Sequence, residues 1–364
     1  METLHETPLA GRHRDRKALM APFGGWNMPI QYKEGILAEH RWCREQAALF
    51  DICHMGEFLY RGDFSSGGLE DIFTFSVASI PEGRSRYGFL LNNDGGIIDD
   101  MIVFRLGKNE AMIVVNAANA ANDFDVINKR LTSDAEFIDI SAATGKIDLQ
   151  GPLSKNVLSD LFGPEAASIA YFRFLQMDIL GSRAIVSRTG YTGELGYEIF
   201  FPLEKTPELW DRILADPRVK PAGLGARDIL RLEMGYSLYG NDIDETITPL
   251  EAGLSAFVNL DKEFVGKEAL LRKAEKRPVR NKVAFQIESR RSPRKGYEIW
   301  KDDCYIGIVT SGCFSPMLGC GIGLGLVTAE GCEPGMKLVI SHGATFMEAT
   351  TCDLPFYKNG SIRL

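Results

Sequence analysis

The sequence predicts an α+β protein of two or three domains, and three observations carry that reading. At 364 residues with 45% hydrophobic content, the chain exceeds what one ordinary core accommodates. Residues 1 to 276 mix strand-like and helix-like periodicities. A charged, proline-bearing linker, Lys276-Arg277-Pro278-Val279-Arg280-Asn281, then separates them from short strands and glycine turns, the pattern of a small β-barrel or sandwich.

The charge balance is 41 basic against 49 acidic residues, a net −8. That excludes broad binding to nucleic acid or an anionic membrane through charge alone, while leaving room for a local basic pocket. Seven cysteines, none in a C-x-x-C pair, fit free thiols in a reducing compartment. Five histidines without H-E-x-x-H spacing give no reason to expect a catalytic metal. The amino terminus is polar and nowhere do eighteen apolar residues run together, so the expected location is the cytoplasm.

In chain order, Pro22-Phe23-Gly24-Gly25-Trp26-Asn27-Met28-Pro29-Ile30 is a loop carrying large apolar side chains toward a core. Ile36, His40, Cys43 and Ala47 recur at helical spacing, which predicts an amphipathic helix over 34–48 with His40 as a core or interface histidine rather than a ligand. Phe50 to Tyr60 is strand-like. Asp51 and His54 within it fit a turn-fixing contact better than a catalytic dyad, since no G-x-S-x-G elbow accompanies them. A helix is expected over 68–75.

Next comes a hairpin. Arg86 to Leu91 forms one arm, Asn92-Asn93-Asp94-Gly95-Gly96 is rich in residues that tolerate positive φ, and Ile97 to Phe104 forms the other arm. Alternation puts Ile98, Asp100, Ile102 and Phe104 on one face and Asp99, Met101 and Val103 on the other. Asp100 thus shares its face with three apolar side chains, and its carboxylate needs a hydrogen-bonding partner or ligand. A strand-end aspartate paired with an arginine or a backbone amide meets that need as well as a functional role does. Tyr87, near the open end, either packs in the core or stacks on a ligand.

Ala111 to Asn116 is a buried strand, Ala117 to Arg130 a helix, Phe137 to Ile140 and Lys146 to Gln150 strands, and Leu153 to Leu161 a helix opened by Gly151-Pro152. The stretch Ser187-Arg188-Thr189-Gly190-Tyr191-Thr192-Gly193-Glu194-Leu195-Gly196-Tyr197-Glu198 spaces glycines by three. It is not a phosphate loop, because a strand follows where a helix would be needed. It reads as a glycine-bent hairpin admitting a backbone or a flat ligand, with Tyr191 and Glu198 as contacts. After a helix over 206–215, Gly223-Leu224-Gly225-Ala226-Arg227-Asp228 delivers Arg227 at a helix start, where a cation does not help the helix. Its partner is therefore elsewhere, either Glu198 or an anionic ligand. A last helix is expected over 267–276.

Taken together, Phe23-Gly24-Gly25-Trp26-Asn27-Met28-Pro29, Phe50-Asp51-Ile52-Cys53-His54-Met55-Gly56-Glu57, Gly95 to Asp100, Ser187 to Glu198, Gly223 to Asp228 and Thr310-Ser311-Gly312-Cys313-Phe314-Ser315-Pro316 closely resemble the glycine cleavage system T-proteins, the tetrahydrofolate-dependent aminomethyltransferases. The likeness spans essentially the whole chain. It implies a three-domain cloverleaf around a central cavity: two interleaved α+β domains within 1–278 (about 1–51 with 140–245, and 52–139 with 246–278) and a C-terminal β-barrel over 279–364. It also implies transfer of a one-carbon unit from the aminomethyl-dihydrolipoyl arm of H-protein to tetrahydrofolate, with release of ammonia and no metal.

By the same resemblance, Asp100 is the acid beside the folate N10, and Tyr87, Asn116, Tyr191, Glu198, Arg227 and Tyr236 surround the folate. Met55 lines the same cavity, and Arg363 meets the glutamyl tail or the lipoyl arm. Related enzymes of this architecture demethylate sulfonium or methoxyaromatic substrates, and others bind folate in a regulatory role without turnover. Retention of both Asp100 and Glu198 argues for the transferase.

Overall fold

Two sheets grow from alternating parts of the chain, and they set the position of everything else in the first 260 residues. The protein is described here from a computed structural model covering residues 3–132, 134–275, 280–328 and 333–363. The linker residues 276–279 and Cys332 lie outside these described residues. One sheet is antiparallel and five-stranded, in the order Ser85–Leu91, Ile97–Gly107, Glu110–Val115, Gly56–Arg61, Glu136–Asp139. The other is six-stranded, in the order Phe174–Ile179, Ser182–Ser187, Gly196–Pro202, Thr144–Gln150, Ala47–Asp51, Val219–Pro221, with the last pair parallel.

Each sheet buries one face against its own cluster. Leu149, Ile147, Ile199 and Val186 of the six-stranded sheet pack on Val157, Leu158, Trp210 and Ile213 of helices Ser154–Phe162 and Thr206–Leu214. Phe58, Tyr60, Met101, Val103 and Ile113 of the five-stranded sheet pack on Ile127 of helix Ala120–Arg130. The sheets meet through aromatics: Phe104 lies edge-on to Phe174 at 5.5 Å and to Phe200 at 5.3 Å between ring centroids.

The hairpin forms as its turn residues dictate. Gly95 takes φ 78°, and Asn92 Oδ1 accepts from the backbone N–H of Asp94 at 3.0 Å and of Gly96 at 2.9 Å. Its register sets Asp100 opposite Phe89 and Ile102 opposite Tyr87.

The C-terminal strands close into a six-stranded barrel, which decides between barrel and sandwich: Asn281–Ile287, Cys320–Val327, Cys304–Ser315, Glu298–Lys301, Lys337–His342, Thr345–Thr351 and back. Phe285, Ile299, Val309, Leu338 and Ile340 fill its interior. The barrel is bolted to helix Leu224–Glu233: Arg231 donates to Ser311 Oγ at 2.8 Å, and Ser315 Oγ donates to Glu233 at 2.5 Å.

Three expected elements differ. The helix over 34–48 is Ile36–Glu45, because Ala47–Asp51 is buried on both faces as a central strand. The helix over 68–75 is only a 3-10 turn, Leu69–Asp71. Phe73 bridges Leu90 and stacks with Phe75 at 5.7 Å, so these side chains follow extended rather than helical spacing. The helix expected from Ala117 starts at Ala120, after a turn closed from Asn119 N–H to Asn116 O at 3.1 Å.

Candidate active site

Between the sheets and helix Leu224–Glu233 lies a cavity of about 1130 Å³, and eight of the nine residues singled out for the site line it: Met55, Tyr87, Asp100, Asn116, Tyr191, Glu198, Arg227 and Tyr236. They come from separate elements, so only the fold brings them together. Arg363 is not among the lining residues. It sits exposed in the turn Ser361–Arg363, and its charge acts on Tyr171 and Tyr236 at the cavity wall.

One wall carries Asp100. Tyr87 donates its hydroxyl to Asp100 Oδ2 at 2.9 Å, and Asn116 Nδ2 donates to Oδ1 at 2.8 Å. Burial pushes the carboxyl up to about 7, the neighbouring Asp99 charge pushes the same way, and the bonds from Tyr87 and Asn116 oppose both. Among the described residues no arginine pairs with Asp100, so none forms the strand-end ion pair that the sequence left open. Tyr87 also lies edge-on to Phe257 at 4.9 Å, and the Tyr191 and Tyr236 rings stack at 5.8 Å. The walls are thus aromatic.

The other wall carries Glu198, which takes its partners from a neighbouring strand and a loop rather than from the helix. Thr189 donates to Glu198 Oε2 at 2.5 Å, and Lys146 Nζ stands 3.3 Å from Oε1. Burial alone would raise this carboxyl. Lys146, Thr189 and the Arg227 charge outweigh it and hold Glu198 below its ordinary value. The expected Glu198–Arg227 pair is corrected: Arg227 is ion-paired to Asp148, and its guanidinium lies 5.3 Å from the Tyr191 ring. The reason is register. Glu198 faces Asp148 across the two central strands, so two like charges lie side by side and each takes its own cation. Asp148 is nonetheless raised to about 6, by burial foremost and by Glu198, with Arg227 opposing.

Sequence reasoning missed Lys146 and Asp148. The signal was present, since Lys146, Asp148 and Gln150 alternate with Ile147 and Leu149 in a strand buried on both faces. His54 also lines the cavity, its ring 5.6 Å from Phe23, and burial pushes it down to about 4, so it is neutral. Asp51 does not pair with it. Instead Asp51 accepts from Thr7 at 2.6 Å and holds His13 at 2.9 Å. His40 bonds Glu233 at 2.9 Å inside the core, as a core histidine does. Among the described residues no cluster of His, Cys, Asp or Glu has the makings of a metal site, and no helix is long and apolar enough to cross a membrane.

Comparison with known proteins places this cavity in a family. Residues 9–262 match the GCVT N-terminal domain, and residues 280–358 match the glycine cleavage T-protein C-terminal barrel domain. The aminomethyltransferases of Thermotoga petrophila and Thermotoga maritima are 42% and 41% identical to the chain, over 99% of each sequence. That of Listeria monocytogenes is 39% identical, over 98% of this chain and 99% of its own. The crystal structure of glycine cleavage system aminomethyltransferase T from Bartonella henselae superposes with a TM-score of 0.93, at 33% identity and over 99% of each chain.

Proposed function

Because the chain belongs to the glycine cleavage T-protein family and is an aminomethyltransferase, we propose that its cavity binds tetrahydrofolate as acceptor and receives the aminomethyl-dihydrolipoyl arm of an H-protein as donor. The observation that carries the reading is Asp100, a carboxyl free of any cationic partner among the described residues, held at the cavity wall by Tyr87 and Asn116. Transfer breaks the carbon–sulfur and carbon–nitrogen bonds of the donor. It frees the dihydrolipoyl thiol and ammonia and yields 5,10-methylenetetrahydrofolate.

The residues fit such an acceptor. A cavity of about 1130 Å³ is larger than the roughly 300–1,000 Å³ of a usual small-molecule site, which suits a folate together with a carrier arm. A pterin presents adjacent N–H donors to a carboxylate, and Glu198, held ionised by Lys146, accepts them. Tyr191 and Tyr236 offer flat faces. Bound tetrahydrofolate supplies the two amine nitrogens that take up the carbon.

Asp100 accepts a hydrogen bond at the reacting amine N10 and raises its reactivity in the attacking geometry. Tyr87 and Asn116 fix the carboxylate's two oxygens. The aromatic walls exclude the water that would divert the carbon. Orientation and electrostatics act here without a covalent enzyme intermediate. The same reading divides the chain into domains of about 1–51 with 140–245, 52–139 with 246–278, and 279–364, places Arg363 near the folate tail or lipoyl arm, and locates the protein in the cytoplasm.

The test is incubation with tetrahydrofolate and aminomethylated H-protein, in parallel with a sulfonium donor and a methoxybenzoate. Ammonia and methylenetetrahydrofolate are expected from the first. Methyltetrahydrofolate from either of the others would overturn the donor assignment.

A further inference from the structure

Behind Asp100 stand two more acids that the transfer does not use directly. Asp99 points away from the cavity and is fully buried. It accepts from the backbone N–H of Asn116 at 2.9 Å, from Asn116 Nδ2 at 2.8 Å and from Asn119 Nδ2 at 3.0 Å. The amide nitrogen that reaches Asp99 is the one that reaches Asp100, also at 2.8 Å. Asp123, fully buried on helix Ala120–Arg130, meets the Asp99 side chain within hydrogen-bonding reach, and neither of its oxygens receives a bond from any N–H or hydroxyl donor among the described residues. A buried carboxylate in that position is untenable. A carboxylic acid there donates its own proton to Asp99 and meets the demand of both groups.

We propose that Asp99 and Asp123 share one proton and, through the side-chain amide of Asn116, act as positioning residues that fix Asp100 for the transfer. The proposal rests on the assignment of Asp100 to the reacting amine. Asp123 keeps the proton, because burial and the Asp99 charge push it up to about 10. The pair therefore carries a single negative charge, transmitted to Asp100 over one amide. Among the described residues the other titratable groups facing the cluster are phenols: Tyr87 and Tyr191 toward Asp100, and Tyr239 toward Asp99 and Asp123. Burial holds all three protonated, so none of them supplies a competing charge.

Two variants test this. Asp99→Asn removes the charge beside Asp100, so the acid limb of kcat/KM for tetrahydrofolate moves down by about one pH unit. Asp123→Asn keeps both the donor and the pair's charge. It leaves the limb where it is, while the infrared difference spectrum at pH 9 loses a carboxylic-acid carbonyl band. A limb that stays put in Asp99→Asn, or an Asp123→Asn difference spectrum without that loss, overturns the proposal. If Asp99→Asn does not fold, the infrared measurement decides alone. Full turnover in Asp100→Asn would instead topple the Asp100 assignment, which the infrared result does not touch.

Discussion

Lys146 stands 3.3 Å from Glu198, both side chains buried at the cavity wall, and this contact leads the Thr189 bond and the Arg227 charge in keeping the carboxylate ionised. Removing one member of a buried ion pair leaves the other charge stranded. Lys146→Met is therefore expected to weaken tetrahydrofolate binding by roughly 10- to 100-fold. The loss should be greater at pH 6 than at pH 8, because the unpaired carboxyl then takes up a proton. Titration of the variant with tetrahydrofolate at both pH values checks it, and equal affinities would remove Glu198 from the binding set.

With Asp100 pushed up to about 7 and proposed as the acceptor at the reacting amine, kcat/KM for tetrahydrofolate should rise with pH through about 7 and fall away below it. Tyr87→Phe deletes a bond that favours the ionised form. It should cost about tenfold in turnover and shift the same limb to higher pH, opposite to Asp99→Asn. A pH–rate series on the two proteins distinguishes the directions.

Asp100→Asn separates activity from stability. Turnover should fall by about 10²- to 10⁴-fold with folate binding retained. A carboxyl raised by the fold contributes stability that is present below its ordinary value and is lost as pH rises through about 7. The amide avoids that loss, so the Tm of the variant should exceed that of the parent by roughly 2–4 °C at pH 8 and match it near pH 4.

Glu57 offers a control that does not line the cavity. Both of its oxygens are buried without a partner among the described residues, and burial pushes it up to about 8. The proton-bearing form fits the fold, and stability is lost as pH rises through about 8. Glu57→Gln copies that neutral form. Its Tm should equal the parent's near pH 4 and exceed it increasingly up to pH 9, and a reversed order in thermal melts would show that Glu57 is ionised in the folded state.

The sequence made local features legible and left distant ones hidden. The Asn92 to Gly96 turn and the alternation around Asp100 act over a few residues, so the hairpin and the half-buried acid could be read from spacing. The partner of Arg227 could not. Asp148 lies 79 residues earlier in the chain, and which of the two facing carboxylates meets the helix depends on strand register and helix placement. Residues 68–75 misled for a related reason: Phe73 and Phe75 answer to the neighbouring strand and to each other, and helical spacing does not register that tertiary demand.

Among the described residues none that lines the cavity belongs to the C-terminal barrel, yet the helix that carries Arg227 ends in Arg231 and Glu233, whose partners Ser311 and Ser315 do. A truncated catalytic core ending before the barrel would keep every lining side chain and still leave two sunken charges without their hydroxyl counterparts at the far end of that helix. Any attempt to shorten this enzyme to the part that lines the cavity meets that obstacle first.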